Sequence, residues 1–437
     1  MWRARGTGAL LLLASAVYLL GCARTGGRGS ATSAGAPPGE AAAPPPAPQR
    51  VERVLFLSCR VDRDGEKPPP DAVRLFSMNA DGSDAKPVFD KWTAYGEMTW
   101  SPDGTRFAWV AGRDLLVASS SDPHAENLTN RGVDVTSPAW SPDGRSLAFV
   151  SWCDGNQEVY TVPAGGGAAT NLTQSAAREF QPTWSPDGTR IALVSNRDGA
   201  WQVYTVHSDG GNVHRVSNSH HGAQTPAWSA DGQRLAFQSI TKPAVAGALL
   251  DAGGAVVPVL WQGFAMQVDG GVGDSDVQVA DTSSPEANVV ATLKHCYRPK
   301  WSPTDPALLV FTLEDTDIRV ARANSSSATD FARPGCRVSE AVWSPDGQSV
   351  AVALSKSGAK DGEFGEVWAL TWGGSPPRCV AKGVPQPTCL AWSSDGSCLW
   401  FCAGRTDREL YSVPAEGGEP RNMTNSRGRD WGPVWVP

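Results

Sequence analysis

Trp140-Ser141-Pro142-Asp143-Gly144-Arg145-Ser146-Leu147-Ala148-Phe149-Val150-Ser151 is the stretch that decides the architecture. Serine opens a turn, proline presets its second position, aspartate tolerates the third and glycine accepts a positive φ. Ser141 to Gly144 therefore reads as a tight reversal between antiparallel strands. Leu147 to Ser151, short and rich in Val, Phe and small residues, reads as the strand that leaves it. The Trp-Ser-Pro-Asp-Gly phrase returns intact from Trp100, Trp184 and Trp343. It returns worn at Trp228 (Ser-Ala-Asp-Gly), Trp301 (Ser-Pro-Thr-Asp) and Trp392 (Ser-Ser-Asp-Gly), and Trp435 begins an eighth copy. Successive intervals are 40, 44, 44, 73, 42, 49 and 43 residues. A period in the forties filled with short strands is that of propeller blades rather than helical repeats.

Each unit supplies four strands. After the second comes a third with an aromatic or aliphatic centre, as in Gln157 to Val162, Gln202 to Val206 and Glu409 to Val413. It ends at Gly-rich turns such as 165–167, 209–211 and 416–418, and a brief fourth strand is expected at Asn127-Leu128-Thr129, Asn171-Leu172-Thr173 and Asn422-Met423-Thr424. The ends of the array are complementary. Arg53 to Ser58, Val73 to Met78 and Pro87 to Phe89 read as second, third and fourth strands with no first, and Pro433 to Val436 is a first strand with no successor. The expectation is an all-β fold: a single β-propeller of about eight four-stranded blades over 51–437, closed by pairing of the C-terminal strand with the N-terminal sheet, which leaves no open edge.

The 437 residues exceed a usual single core, but each blade of such a ring buries its faces only against its neighbours. Arg3 and Arg5 precede an apolar run from Ala9 to Leu20, too short to span a bilayer and suited to a signal peptide over 1–21. That run ends at Leu19-Leu20-Gly21-Cys22, which resembles the bacterial lipobox and makes Cys22 the lipidation site. Ala23 follows where aspartate would argue for inner-membrane retention, so the outer membrane is favoured. Residues 22–50, rich in Ala, Pro, Gly and Ser, read as a disordered tether behind the lipid. Loss of 1–21 removes two arginines and takes the formal charge from -7 to -9, a poor balance for binding nucleic acid. Eight cysteines then remain, which admit 105 complete pairings, and spacing selects none. Cys389 and Cys402 could face each other across one hairpin; buried free thiols are the alternative.

The turn phrase, the Leu-Ala-Phe-Val-Ser strand and the Tyr-Thr-Val strand together resemble the repeats of TolB-type, WD40-like β-propellers, over roughly residues 50 to 437. Related repeats occur in the Tol-Pal protein TolB, in prolyl oligopeptidase-type peptidases and in oligogalacturonate lyases, so the resemblance implies a fold more than a function. TolB itself joins a folded α/β domain to six blades, unlike this tether and ring. A peptidase of that type requires Gly-x-Ser-x-Gly within an α/β-hydrolase domain, and the chain has neither the phrase nor the room. It also has no Lys-Ser or Lys-Thr phosphate loop and no His-Glu-x-x-His. A lyase of the oligogalacturonate type would gather histidines on a divalent metal. The candidates are His220 and His221 before Trp228 and His295 before Trp301. Solvated loop histidines are the plainer reading, and neither a resident metal nor a cofactor is expected.

Strand order places functional candidates. Turns of the Ser-Pro-Asp-Gly and Gly-rich kinds share one face, while second-to-third loops and blade connectors share the other. The connector face carries Trp152, Arg178, Trp201, Trp261, Arg405, Arg427, Arg429 and Trp431, a mix suited to protein or glycan binding. Packing against a neighbouring blade is the plainer role for any one tryptophan. The 73-residue interval holds an apolar insertion at 241–274 on the same face, either a hairpin over the channel or a docking element. The expected protein is a lipid-anchored, non-enzymatic monomer that binds an envelope protein or glycan.

Overall fold

The computed structural model describes residues 53–436 except 60–73, 89–94, 121–123, 130–131, 133, 243–248, 251–255, 258–259, 262–263, 266–274, 284–286, 314–316, 324–327, 333–335, 357–363, 373–375, 405–407 and 427. Strands are the only regular structure among the described residues, and they form eight four-stranded antiparallel sheets. Blade 1 joins the two ends of the chain: Lys86–Pro87, Arg74–Asn79, Arg53–Ser58 and Asp430–Val436, in that order from the rim. Blades 2 to 8 span 95–127, 135–171, 179–215, 223–293, 296–332, 336–385 and 388–422. The closing ladder pairs Val54 with Trp435, Leu55 with Val434 and Leu57 with Trp431, so the ring closes by the expected pairing. Signal peptide, Cys22 and tether lie outside the described residues.

The repeated turn folds for the reasons its residues suggest. In blade 3 the Ser141 hydroxyl donates to Asp143 Oδ1 at 2.6 Å, and the same carboxylate oxygen accepts the Arg145 N–H at 3.0 Å. Ser141 Oγ accepts the Ser146 N–H at 2.9 Å, while Gly144, at φ 68°, donates to the Ser141 carbonyl. Ser101, Ser185, Ser229, Ser344 and Ser393 repeat the serine–aspartate bond. Ser141 and then Arg145 hold the Asp143 carboxyl below the usual carboxylate range. These carboxylates are bonded within their own turns, which accounts for the recurrence of aspartate in the phrase.

Second strands are buried on both faces and so read as apolar runs. Phe56, Phe107, Phe149, Phe237, Phe311 and Phe401 sit on second strands at 2% exposure or less. The packing divides into seven apolar clusters that join adjacent blades, one of which spans blades 8 and 1 and another blades 1 and 2. In six of the repeats the tryptophan of the phrase stitches its blade to the one before. Its indole N–H donates to the carbonyl of the residue preceding the previous tryptophan: Trp140 to Thr99, Trp184 to Ala139, Trp228 to Thr183, Trp301 to Ala227, Trp343 to Lys300 and Trp392 to Val342, at 2.9–3.3 Å. On the turn face Arg190 reaches forward. It lies 4.7 Å from the Trp228 ring and donates to the Gly232 and Thr282 carbonyls.

Fourth strands start earlier than the Asn-x-Thr runs suggest. They are Ala125–Asn127, Thr170–Asn171 and Arg421–Asn422, each ending at the asparagine. The rest of the motif ends the ladder with side chains. Asn171 Oδ1 accepts the Thr173 N–H, and Thr173 Oγ1 accepts the Val159 N–H that a longer strand would have bonded. Thr129, Ser217 and Thr424 do the same for Leu115, Val203 and Leu410. Blades 5 to 7 lack the motif, and their outer strands run longer, as Asn288–Leu293, Ala328–Ala332 and Arg378–Pro385.

Candidate binding face

First strands of most successive blades lie against one another and so wall a central channel. Second-to-third loops and connectors meet around one mouth of it, the face expected to vary. There the structure sorts the candidates. Trp152 is half-buried and packs on the cluster shared by blades 3 to 5. Trp201 packs edge-on to Phe180 at 4.8 Å, and its carbonyl accepts the Ala223 N–H of the next blade. Trp431 belongs to the closing strand and touches clusters on both sides of it. All three tryptophans therefore hold blades together, the plainer of the two roles considered.

Arg178 and Arg429 are exposed. The Arg178 backbone is pinned by Asn196 Oδ1, and Arg429 exchanges backbone contacts with Cys59, so both side chains start from ordered connectors. Carboxylates of the neighbouring loops are already engaged: Asp154 accepts the Tyr160 hydroxyl and Asp198 the Tyr204 hydroxyl, at 2.5 and 2.6 Å. Burial first, then the aspartate bond, pushes both phenols above their ordinary range. Arg405 and Arg427 lie outside the described residues. Trp261 falls in a short hairpin, Leu260–Trp261 with Phe264–Ala265, inside the insertion, and its side chain is outside the described set. A second small hairpin pairs Leu249–Leu250 with Val256–Val257.

His220 and His221 are exposed, with rings 4.8 Å apart, while exposed His295 sits in the next connector, its N–H bonded to Asp276. Among the described residues no group of three or more His, Cys, Asp or Glu side chains is placed to hold a metal ion. His220, His221 and His295 thus form no such group among the described residues.

Sequence reasoning passed over the channel wall itself. The first strands of blades 3 to 6 and 8 carry a bulge two or three residues before the tryptophan, where Ser137, Gln181, Thr225, Arg298 and Cys389 adopt φ of 52–54°. Bulge residues reach along the wall. Gln181 Oε1 accepts the Thr225 N–H at 3.0 Å, and Glu340 Oε2 the Leu390 N–H at 2.9 Å. Half-buried Lys300 donates to the Ala341 carbonyl close to Glu340; loss of solvent lowers the amine and raises the acid, and their mutual attraction opposes both. At the connector-side mouth, fully buried Glu179 accepts from Ser195 and pairs with Arg197 at 3.3 Å, and burial raises its carboxyl. A sequence signal existed. Proline stands just before the bulge's return to the ladder in Ser137-Pro138, Gln181-Pro182, Thr225-Pro226 and Arg298-Pro299, and within a sheet it tolerates only such positions.

A family model described as the TolB beta propeller domain matches residues 53–268. The ring is a TolB-type β-propeller. An uncharacterized protein of Agrobacterium fabrum is 28% identical over 176 residues, which cover 38% of this chain and 57% of that protein. The Tol-Pal system protein TolB of Xanthomonas campestris is 32% identical over 77 residues, 18% of this chain and 17% of that protein. The chain thus spans less than two thirds of either relative. A solved eukaryotic initiation factor superposes with a TM-score of 0.51 at 12% identity, covering 89% of this chain and 99% of that one. That likeness shows the fold alone, and this TolB-type ring must draw its function from the surfaces it presents.

Proposed function

We propose that this TolB-type propeller is an exported, lipid-anchored scaffold that binds an envelope protein through its connector face and does no chemistry of its own. The ring type supports an envelope scaffold in general terms. Anchoring rests on Arg3, Arg5, the apolar run and the lipobox ending at Cys22. The observation that carries the reading is the inequality of the two faces. On the turn face one hydrogen-bonded motif consumes serine and aspartate in blade after blade. On the connector face Arg178 and Arg429 stand exposed on pinned backbones, and strand order sends the apolar sequence of the insertion out on the same face, the combination of charge and apolar groups from which interfaces are built. An envelope glycan is the other ligand class this face suits.

The test is capture from envelope extract by the full chain, with three variants beside it. Replacing 241–274 by a short Gly-Ser turn should spare the ring, because Arg234–Ile240 and Ser275–Asp281 pair directly, and should weaken capture. Arg178→Glu with Arg429→Glu should weaken it too. Capture unchanged in both, and lost instead when turn-face residues are replaced, would move the functional surface to the other side. Cys22→Ala should leave the precursor unprocessed and unlabelled by a fatty-acid probe; normal labelling would remove the anchor from the proposal.

A further inference from the structure

Blade 8 places two thiols together at the channel wall. Cys402 is fully buried on the second strand Cys398–Ala403 and pairs across the hairpin with Thr388. Cys389, the next residue, would face the opposite side of a regular strand. It does not, because it is the bulge residue, with φ 53°, and Cys389 and Leu390 together stand opposite Phe401. The bulge turns Cys389 into the cluster that also holds Cys402, facing blade 1. The two side chains thus lie within reach of one another, beside Gly432 of the closing strand. Cys389 is half-buried, whereas Cys402 is fully enclosed. The third cysteine of this hairpin, Cys398, lies on the same strand as Cys402 about 13 Å along it, beyond bonding reach.

We propose that Cys389 and Cys402 are a thiol–disulfide exchange site, with Cys389 the residue that meets an external disulfide and Cys402 the one that resolves it. Cys389 attacks one sulfur of the external disulfide as its thiolate, and one external thiolate leaves. Cys402 gives up its proton and attacks Cys389 Sγ, expelling the second external thiol. Two protein thiols are thereby oxidised by two electrons, and one external disulfide is reduced to two thiols. The surroundings divide the roles. The bond with Cys402, and then the Gly432 N–H and the Arg408 charge, draw the Cys389 thiol below its ordinary range against burial and Glu340, while burial raises Cys402. The product is a crosslink between the first two strands of blade 8, against the strand that closes the ring.

The probe is oxidised glutathione, added to the purified full chain. Trypsin releases 383–405 as one fragment with Cys389, Cys398 and Cys402. This fragment should become lighter by two hydrogen atoms, and a further cut after Trp392 and Trp400 should leave Cys389 and Cys402 peptides joined. Cys398→Ser should keep the crosslink. Cys402→Ser should instead trap one glutathione on Cys389, and Cys389→Ser should leave Cys402 unmodified. Reduction of the oxidised wild type should lower its melting temperature by a few degrees. A crosslink through Cys398, or free thiols at both positions after prolonged oxidation, would overturn the proposal, and the wild-type mapping decides this even if a variant fails to fold.

Discussion

Six joints between blades carry an indole-to-carbonyl stitch, and the two that flank blade 1 do not. Trp140, Trp184, Trp228, Trp301, Trp343 and Trp392 each donate to the blade before. Trp100 and Trp435, at the same place in the repeat, have buried indole N–H groups with no partner among the described residues. The counterpart acceptors would be the carbonyls of Val434 and Ala391. The difference lies in how the first strand is held. In blades 2 to 5, 7 and 8 a four-residue turn ties it to its second strand and sets its height on the channel wall. In blade 1 the strand Asp430–Val436 has no such turn; its ladder is to Arg53–Ser58, a segment from the other end of the chain, and its start is fixed to blade 8 by the Asp430 N–H on the Arg408 carbonyl. Blade 1 is retained by apolar packing, with Trp435 edge-on to Trp400 at 5.6 Å, more than by directed bonds.

The largest test of this contrast removes the closing strand. Deleting 431–437 takes away Trp431, Val434 and Trp435 and bares the edge of Arg53–Ser58. The expected cost is about 3–5 kcal/mol, the scale of truncating one buried aromatic, and it should show as a lower denaturation midpoint with earlier proteolysis. An unchanged midpoint would mean that the pairing contributes nothing to the ring.

A smaller test compares two identical substitutions. Trp184→Phe removes a made hydrogen bond and strands the Ala139 carbonyl, whereas Trp435→Phe removes an N–H that was buried without a partner. Both lose similar volume. The stitched site should therefore suffer more, by about 1–3 kcal/mol, in chemical denaturation. Equal losses would show that the indole bonds add little and that the joints differ only in packing.

The stitched part of the ring was also the legible part. A turn whose four residues each have a local job repeats visibly, and a composite blade can be inferred from what the two ends lack. The fourth strands were misplaced by one or two residues because the asparagine and threonine of Asn171-Leu172-Thr173 replace ladder bonds with side-chain bonds, which looks like strand in sequence. The candidate face was legible as a face, since topology alone sends loops of one class to one side. It was not legible residue by residue. Trp152, Trp201 and Trp431 pair an apolar ring with a polar edge and serve equally in a joint or an interface, so only their neighbours decide. The channel wall was missed because Cys389 and Gln181 act through a bulge, and a one-residue excess is invisible without the partner strand.

The smallest effect separates turn chemistry from closure. Asp143 and Asp395 are held below the usual carboxylate range by their serines first, and Asp103 and Asp187 likewise although burial opposes it. A depressed native carboxyl contributes stability that is complete above its unfolded pKa of about 4 and is lost as the pH falls through its native value. Stability should accordingly fall as the pH drops from about 5 to 3. None of these four turns belongs to blade 1, whose first and second strands are joined by no turn. The acid loss of Trp435→Phe should therefore run parallel to that of the wild type, displaced but not steeper. Asp143→Asn, by contrast, should flatten it slightly, because the amide oxygen still accepts from Ser141 and Arg145 but no longer titrates. Melting temperatures at steps between pH 3 and 7 for the three proteins decide the matter. A steeper acid limb in Trp435→Phe alone would tie the carboxylates to the closing blade and erase the distinction between the two kinds of joint.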